Sequence, residues 1–212
     1  MKIKWFGHSC FGIDFLNVKI LTDPFDESVG YPIPKYAPDI ITESHQHFDH
    51  NAHHLIKGSY KLINTVGEYV HKGVKITGIK TYHDKLKGRE RGENIIFKFR
   101  FPDDLTVAHC GDLGEIPDDK IIKQLKDVDI LMIPVGGYYT INAHEAKEII
   151  SKTNPKIIIP MHFKTKYINF PISSVENFLD VMMINSQNVE KEYIITKEEL
   201  NTSETKILLF DI

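Results

Sequence analysis

His45-x-His47-x-Asp49-His50 gathers three imidazoles and a carboxylate into six positions of a 212-residue chain. Two imidazoles suit a divalent metal of intermediate softness, and a carboxylate with a further imidazole can hold a second ion nearby. The cluster follows Ile40-Ile41-Thr42, a short apolar run that reads as a strand, and the end of a buried strand is a rigid mount for ligands. On extended backbone His45, His47 and Asp49 point to one side, and a turn at Asp49-His50 swings His50 inward. A histidine-rich surface loop is the plain alternative. The apolar strand immediately before the cluster argues against it.

The elements that must position this cluster change character along the chain. Short strands are expected at Ile3–Trp5, Cys10–Phe15 and Lys19–Leu21, with a loop over Glu27–Pro38 that carries Gly30, Pro32, Pro34 and Pro38. A short helical stretch is expected over Asn51–Ile56, then strands at Lys61–Asn64, Val74–Tyr82, Ile95–Phe101 and Leu105–Ala108. From Pro117 the pattern becomes helix and strand in turn. Helices are expected to about Leu125, over Ala143–Lys152 capped by Asn142, and to about Met183 from a capping box of Ser173 and Glu176. Buried strands are expected at Asp129–Ile133 and Ile157–Ile159, and closing strands at Tyr193–Thr196 and Lys206–Phe210. A hairpin-rich first half and a β/α second half fit a mixed-sheet α/β sandwich.

Composition narrows the partners. With 26 Lys and Arg against 29 Asp and Glu the net charge is −3, so no general nucleic-acid binding is expected. No apolar run approaches the ~18–20 residues of a membrane span, and His8 and Asp14 interrupt any secretory leader. Two cysteines, Cys10 and Cys110, make no disulfide framework and point to a reducing, cytoplasmic setting. Both read as small buried hydrophobes rather than thiolate ligands.

The cluster resembles the signature of the metallo-β-lactamase fold superfamily of metal-dependent hydrolases. That family expects a later histidine, an aspartate in a Gly-Asp turn after a strand, and a late histidine. His83 after Val74–Tyr82, Gly111-Asp112 after Leu105–Cys110, and His162 after Ile157–Pro160 stand in that order. Gly7-His8-Ser9, His109-x-Gly111-Asp112, Ile133-Pro134-Val135-Gly136-Gly137 and Ile159-Pro160-Met161-His162 further resemble its small-hydrolase branch, which includes ascorbate-phosphate lactonase-like members.

The resemblance implies an αββα four-layer sandwich, two mixed sheets with outer helices, as one domain over residues 1–212. It implies that His45, His47 and His83 hold one ion, that Asp49, His50 and His162 hold another, and that Asp112 bridges them. The ions would be two divalent metals, zinc first, with manganese or iron also suited to this donor set. A hydroxide bridging the metals would then cleave an ester, lactone or phosphodiester in a small-molecule substrate, with Asp49 orienting it. A mononuclear iron oxygenase of the same fold is one alternative, and a non-catalytic metal-binding or regulatory protein is another. Asp49 and Asp112 favour chemistry, because a purely structural zinc site is usually a closed set rich in cysteine.

Other residues carry weaker signals. His83 opens a loop with Asp84, Lys85, Lys87, Arg89, Glu90 and Arg91 that would equally suit solvent, and His109 competes with it. Strand alternation sets His109 beside Gly111, where it reads as a support for Asp112 rather than as a ligand. His8, in a glycine-flanked turn, is a candidate for meeting the leaving group or the substrate. Gly136-Gly137 reads as an anion-binding turn or as a tight turn needing positive φ. His53, His54, His71 and His144 are expected on the surface without a role.

Overall fold

The computed structural model describes residues 1–201 and 204–211. In chain order its strands are β1 (Lys2–Gly7), β2 (Cys10–Phe15), β3 (Val18–Thr22), β4 (Ile40–Thr42), β5 (Lys61–Ile63), β6 (Gly67–His71) and β7 (Val74–Tyr82). There follow β8 (Glu93–Arg100), β9 (Thr106–His109), β10 (Ile130–Pro134), β11 (Ile157–Met161), β12 (Ser186–Val189), β13 (Glu192–Ile194) and β14 (Lys206–Phe210). The helices are α1 (Asp119–Leu125), α2 (Ala143–Thr153), α3 (Val175–Met182) and α4 (Lys197–Leu200). Among the described residues no helix is long and apolar enough to cross a membrane.

Period-2 alternation builds the layers. Phe11 and Ile13 of β2, Ile20 of β3 and Ile40 of β4 face a large apolar cluster shared with Ile76, Phe97, Phe99 and Val107 of the facing sheet. Their neighbours Cys10, Leu21 and Ile41 face the other way, into a second cluster closed by Phe25, Tyr31, Ile56 and Ile172. A sheet buried on both faces explains why β4 and the Ile20-Leu21 part of β3 read as apolar runs without alternation. The first sheet has the order β13-β1-β2-β3-β4-β5, and the second β12-β14-β11-β10-β9-β8-β7-β6. Both are mixed, in the four-layer α/β arrangement that the sequence implies. The outer cover is unequal, however. Helices α1, α2 and α3 bury Ile122, Leu125, Ile149 and Phe178 into the large cluster. The first sheet is covered by irregular chain and by two short 3-10 turns, Glu27–Val29 and His53–Leu55.

Strand direction then decides where the ligands can meet. β1 and β3 both run antiparallel to β2, and β4 runs parallel to β3, so the three end at one edge of the first sheet. In the second sheet β7 and β9 are both antiparallel to β8, and β10 and β11 continue parallel to β9. Their C-terminal ends share one edge as well. The two edges touch, since Ile95 N–H donates to the Ser44 carbonyl at 2.9 Å. Ligand-bearing loops thus converge along the seam of the sandwich.

Several boundaries depart from expectation. The helical stretch at Asn51–Ile56 shrinks to the 3-10 turn His53–Leu55. Asn142 caps α2 as expected, in a full capping box with Glu145. By contrast α3 starts from Ser174, whose side chain makes no capping bond, and not from Ser173. Ser173 is held instead in the backbone ladder, donating to the Gly136 carbonyl at 2.8 Å and accepting from Lys164 N–H at 2.9 Å.

Candidate metal centre

The segment His45–His50 is a chain of bends closed by a turn, with His50 N–H donating to the His47 carbonyl at 2.9 Å. Convergence therefore comes from folding the segment back on itself, and not from strand alternation. His45 and His50 are buried, Asp49 is partly exposed and His47 is exposed.

Side chains from both sheets complete the site. The imidazole nitrogens of His45, His47 and His83 form one group, and those of His8, His50 and His162 form a second with a carboxylate oxygen of Asp49. Within each group the donor atoms lie within 4.8 Å of one another. Asp112 stands between them. Its Oδ2 is 3.3 Å from His83 Nε2, 3.2 Å from His162 Nε2 and 3.9 Å from His45 Nε2, and its Oδ1 is 3.1 Å from His50 Nε2. His83 is buried, so the charged loop that follows does not carry it into solvent.

Hydrogen bonds fix which nitrogen each ring presents. Asp23, fully buried after β3, accepts from Ser44 N–H at 2.8 Å, from the Ser44 hydroxyl at 2.6 Å and from His50 Nδ1 at 2.8 Å. With the hydroxyl hydrogen spent on Asp23, Ser44 Oγ accepts from His45 Nδ1 at 3.0 Å. Both rings are left with Nε2 facing the centre, which is how outer partners orient metal-binding histidines. Burial opposes charge on Asp23, but His109 and the bond from His50 outweigh it and keep the carboxyl below its ordinary range. Asn94 holds the other side. It accepts from Asp112 N–H at 3.0 Å through Oδ1 and donates to the Cys110 carbonyl at 3.0 Å through Nδ2.

The local backbone is bent to suit. His8, Asp23 and His162 adopt φ of 52°, 41° and 51°, a left-handed conformation that costs a non-glycine residue of order 1–3 kcal/mol and gathers at functional sites. Gly111, at φ 54°, lets the turn press against Ser44, where a Cβ would fall 2.4 Å from that residue's Cβ. Gly136 packs under the His162 carbonyl, 2.2 Å from where a Cβ would stand, so close approach accounts for this glycine.

Electrostatics match a cation site. Burial pushes His45 down to about 3 and His8 down to about 4, leaving both imidazoles with free lone pairs at neutral pH. Burial acts against charge on Asp112 and Asp49, yet neighbouring histidines hold both carboxyls well below the usual carboxylate range. His45 Nε2, His50 Nε2, Asp112 Oδ1 and both ring nitrogens of His8 and His162 are buried and lack a hydrogen-bond partner. Orphaned buried polar atoms are costly, and here each residue has at least one imidazole nitrogen or carboxylate oxygen grouped closely enough with the others to bind a metal. The donor set fits divalent metal binding.

Some residues lie elsewhere than the sequence suggested. His109 does not bond Asp112. Its Nε2 lies 2.8 Å from the Ser9 carbonyl, and its Nδ1 accepts from Gly111 N–H at 3.3 Å, so it braces the turn from behind. Cys10 and Cys110 are buried free thiols raised by burial, Cys110 to about 12, as small hydrophobes would be. His53 is half-buried, with Nδ1 2.5 Å from the buried carboxylate of Glu43. Asp23, Glu43 and Asn94 were not singled out by sequence. Asp23 and Glu43 each left a trace, as an acid directly after an apolar strand.

Comparisons with known proteins bear on the family and the fold. A UPF0173 metal-dependent hydrolase of Thermoplasma volcanium is 30% identical over 193 residues, covering 78% of this chain and 84% of that protein. The crystal structure of a Thermotoga maritima protein, provisionally assigned as a Zn-dependent hydrolase of the metallo-beta-lactamase superfamily, is similar with a TM-score of 0.84 and 40% identity. That likeness covers 99% of this chain and 97% of the other. At 11% identity a diiron beta-hydroxylase from Streptomyces venezuelae shares the fold alone, with a TM-score of 0.64 over 99% of this chain and 52% of its own. A family model, the beta-lactamase superfamily domain, matches residues 2–162, the stretch from which every side chain of the centre comes, and the chain belongs to that superfamily.

Proposed function

We propose that the chain is a metal-dependent hydrolase, a single catalytic domain that holds two divalent ions, zinc by preference. Its reaction opens an ester, lactone or phosphodiester bond in a small molecule. The observation that carries this reading is the position of Asp112, whose carboxylate lies within 3.9 Å of imidazoles from both groups. A carboxylate set between two cation sites offsets the repulsion of their charges. His45, His47 and His83 would hold one ion, and Asp49, His50 and His162 the other.

When bound, the ions would supply Lewis acidity, lowering the pKa of a water and polarising the bond to be cleaved. The protein's own part falls first to Asp49. Its carboxylate is ionised and opens onto the cavity, so it can orient a water and accept its proton. His8 would act through Asp49 rather than on the leaving group, because its ring is fully buried and its Nε2 lies 3.3 Å from Asp49 Oδ2. Asp23 would keep His50 in the tautomer that faces the ion.

The test is metal-dependent turnover of bis(4-nitrophenyl) phosphate, 4-nitrophenyl acetate and a simple lactone. The expected result is hydrolysis of at least one, lost on chelation and restored by zinc. No hydrolysis of any by protein shown to carry two ions would favour a metal-binding protein without catalysis.

A further inference from the structure

The cavity above the centre has a volume of about 510 Å³, and among the described residues Arg91 is the only Lys or Arg that lines it. Phe48, Tyr139 and Phe170 supply aromatic wall, while His83, Asp112 and His162 lie on the side of the centre. Arg91 also borders a neighbouring cavity beside His45 and His47, so the cation stands at the rim of the centre next to the aromatic wall.

Arg91 is held there by its own loop. Asp84 is 3% exposed, and its carboxylate accepts from the backbone N–H groups of Leu86 at 2.8 Å, Gly88 at 2.9 Å, Glu90 at 3.0 Å and Arg91 at 2.8 Å. His83 N–H closes the loop by donating to the Gly92 carbonyl at 3.0 Å. One buried carboxylate thus ties the ligand histidine at the start of the loop to the arginine at its end. The guanidinium carbon lies 5.7 Å from the centroid of the Tyr139 ring, a contact that orients the planar group. Its ion pair with Glu90, Nη1 to Oε2 at 3.5 Å, is long and involves an exposed side chain, so it competes weakly with a ligand. Arginine rather than lysine suits a two-point grip on an oxyanion.

We infer that Arg91 is a specificity-determining residue that selects substrates carrying an oxyanion, carboxylate or phosphate, together with an apolar body that lies on the aromatic wall of the cavity. This rests on the hydrolase reading above for what happens at the metal centre. The test is read by binding, so the two can fail separately.

Calorimetric titration of the zinc-loaded full chain with 4-phenylbutyrate, 4-phenylbutyl phosphate and 4-phenylbutanol compares one apolar body with three head groups. At least one anion is expected to bind tenfold or more tighter than the alcohol, and the preferred one distinguishes carboxylate from phosphate. Arg91→Met is expected to weaken that anion by about tenfold to a hundredfold, the scale of a charge-assisted contact, while changing the alcohol less than twofold. Arg91→Lys, which keeps the charge but not the fork, is expected to fall between. Unchanged anion affinity in Arg91→Met would mean that the anion sits on the metals and would overturn the assignment. Equal affinity for alcohol and anions, or no binding of any, would overturn it too.

Discussion

Asp112→Ala is expected to lower metal-dependent turnover by at least about a thousandfold, beyond the usual loss from one electrostatic contact in an active site. The variant is also expected to retain fewer than two ions per chain. Between them the two oxygens of Asp112 approach imidazoles from three places in the fold: His83 after β7, His162 after β11, and His45 and His50 after β4. No other carboxylate of the described residues is placed to serve both groups, since Asp49 joins only the second. The fold should survive, because the turn is held by backbone contacts that alanine keeps, including Asp112 N–H to Asn94 at 3.0 Å. Steady-state rates with elemental analysis of the same preparation check both parts. Full turnover with two ions bound would remove Asp112 from its place between them.

Asp49→Ala is expected to cost about a hundredfold to ten-thousandfold in kcat, the range for a positioned acid or base. The loss should fall on kcat more than on KM, because the residue contributes to proton transfer more than to holding the substrate. Among the described residues Asp49 is the only acidic side chain besides Asp112 that lines the cavity. Alanine would also strip His8 of its carboxylate neighbour, 3.3 Å away, while leaving its buried ring in place. The measurement is kcat and KM on whichever panel substrate wild type hydrolyses, with metal content determined alongside. A full rate with both ions retained would show that the proton goes elsewhere.

Local pattern carried much of the architecture. Strands such as Cys10–Phe15, Ile40–Thr42 and Val74–Tyr82 were legible to the residue because their alternation or apolar runs reflect burial. β6 and β12 were not, since both are edge strands, β6 with no fully buried side chain and β12 with Val189 alone buried, so their side chains have little core to report. The helix start at Ser174 escaped because tertiary pairing of Ser173 overrode the capping signature. At the centre, residue types and strand ends located the donors. Their supports were hidden for a different reason: Asp23 reaches His50 across 27 positions and Asn94 reaches Asp112 across 18, distances over which local periodicity says nothing. Alternation placed His109 beside Gly111, from whose N–H it accepts, but could not show that its other nitrogen meets the Ser9 carbonyl 100 positions away. Arg91 looked like one charge among many in a solvated loop until the buried Asp84 was seen to turn that loop toward the cavity.

Anomalous diffraction at the zinc edge, from crystals of the zinc-loaded full chain, tests the two-ion centre most directly. The account predicts two peaks per chain, one among His45, His47 and His83 and one among Asp49, His50 and His162, with Asp112 between them. A single peak, or peaks away from Asp112, would contradict it.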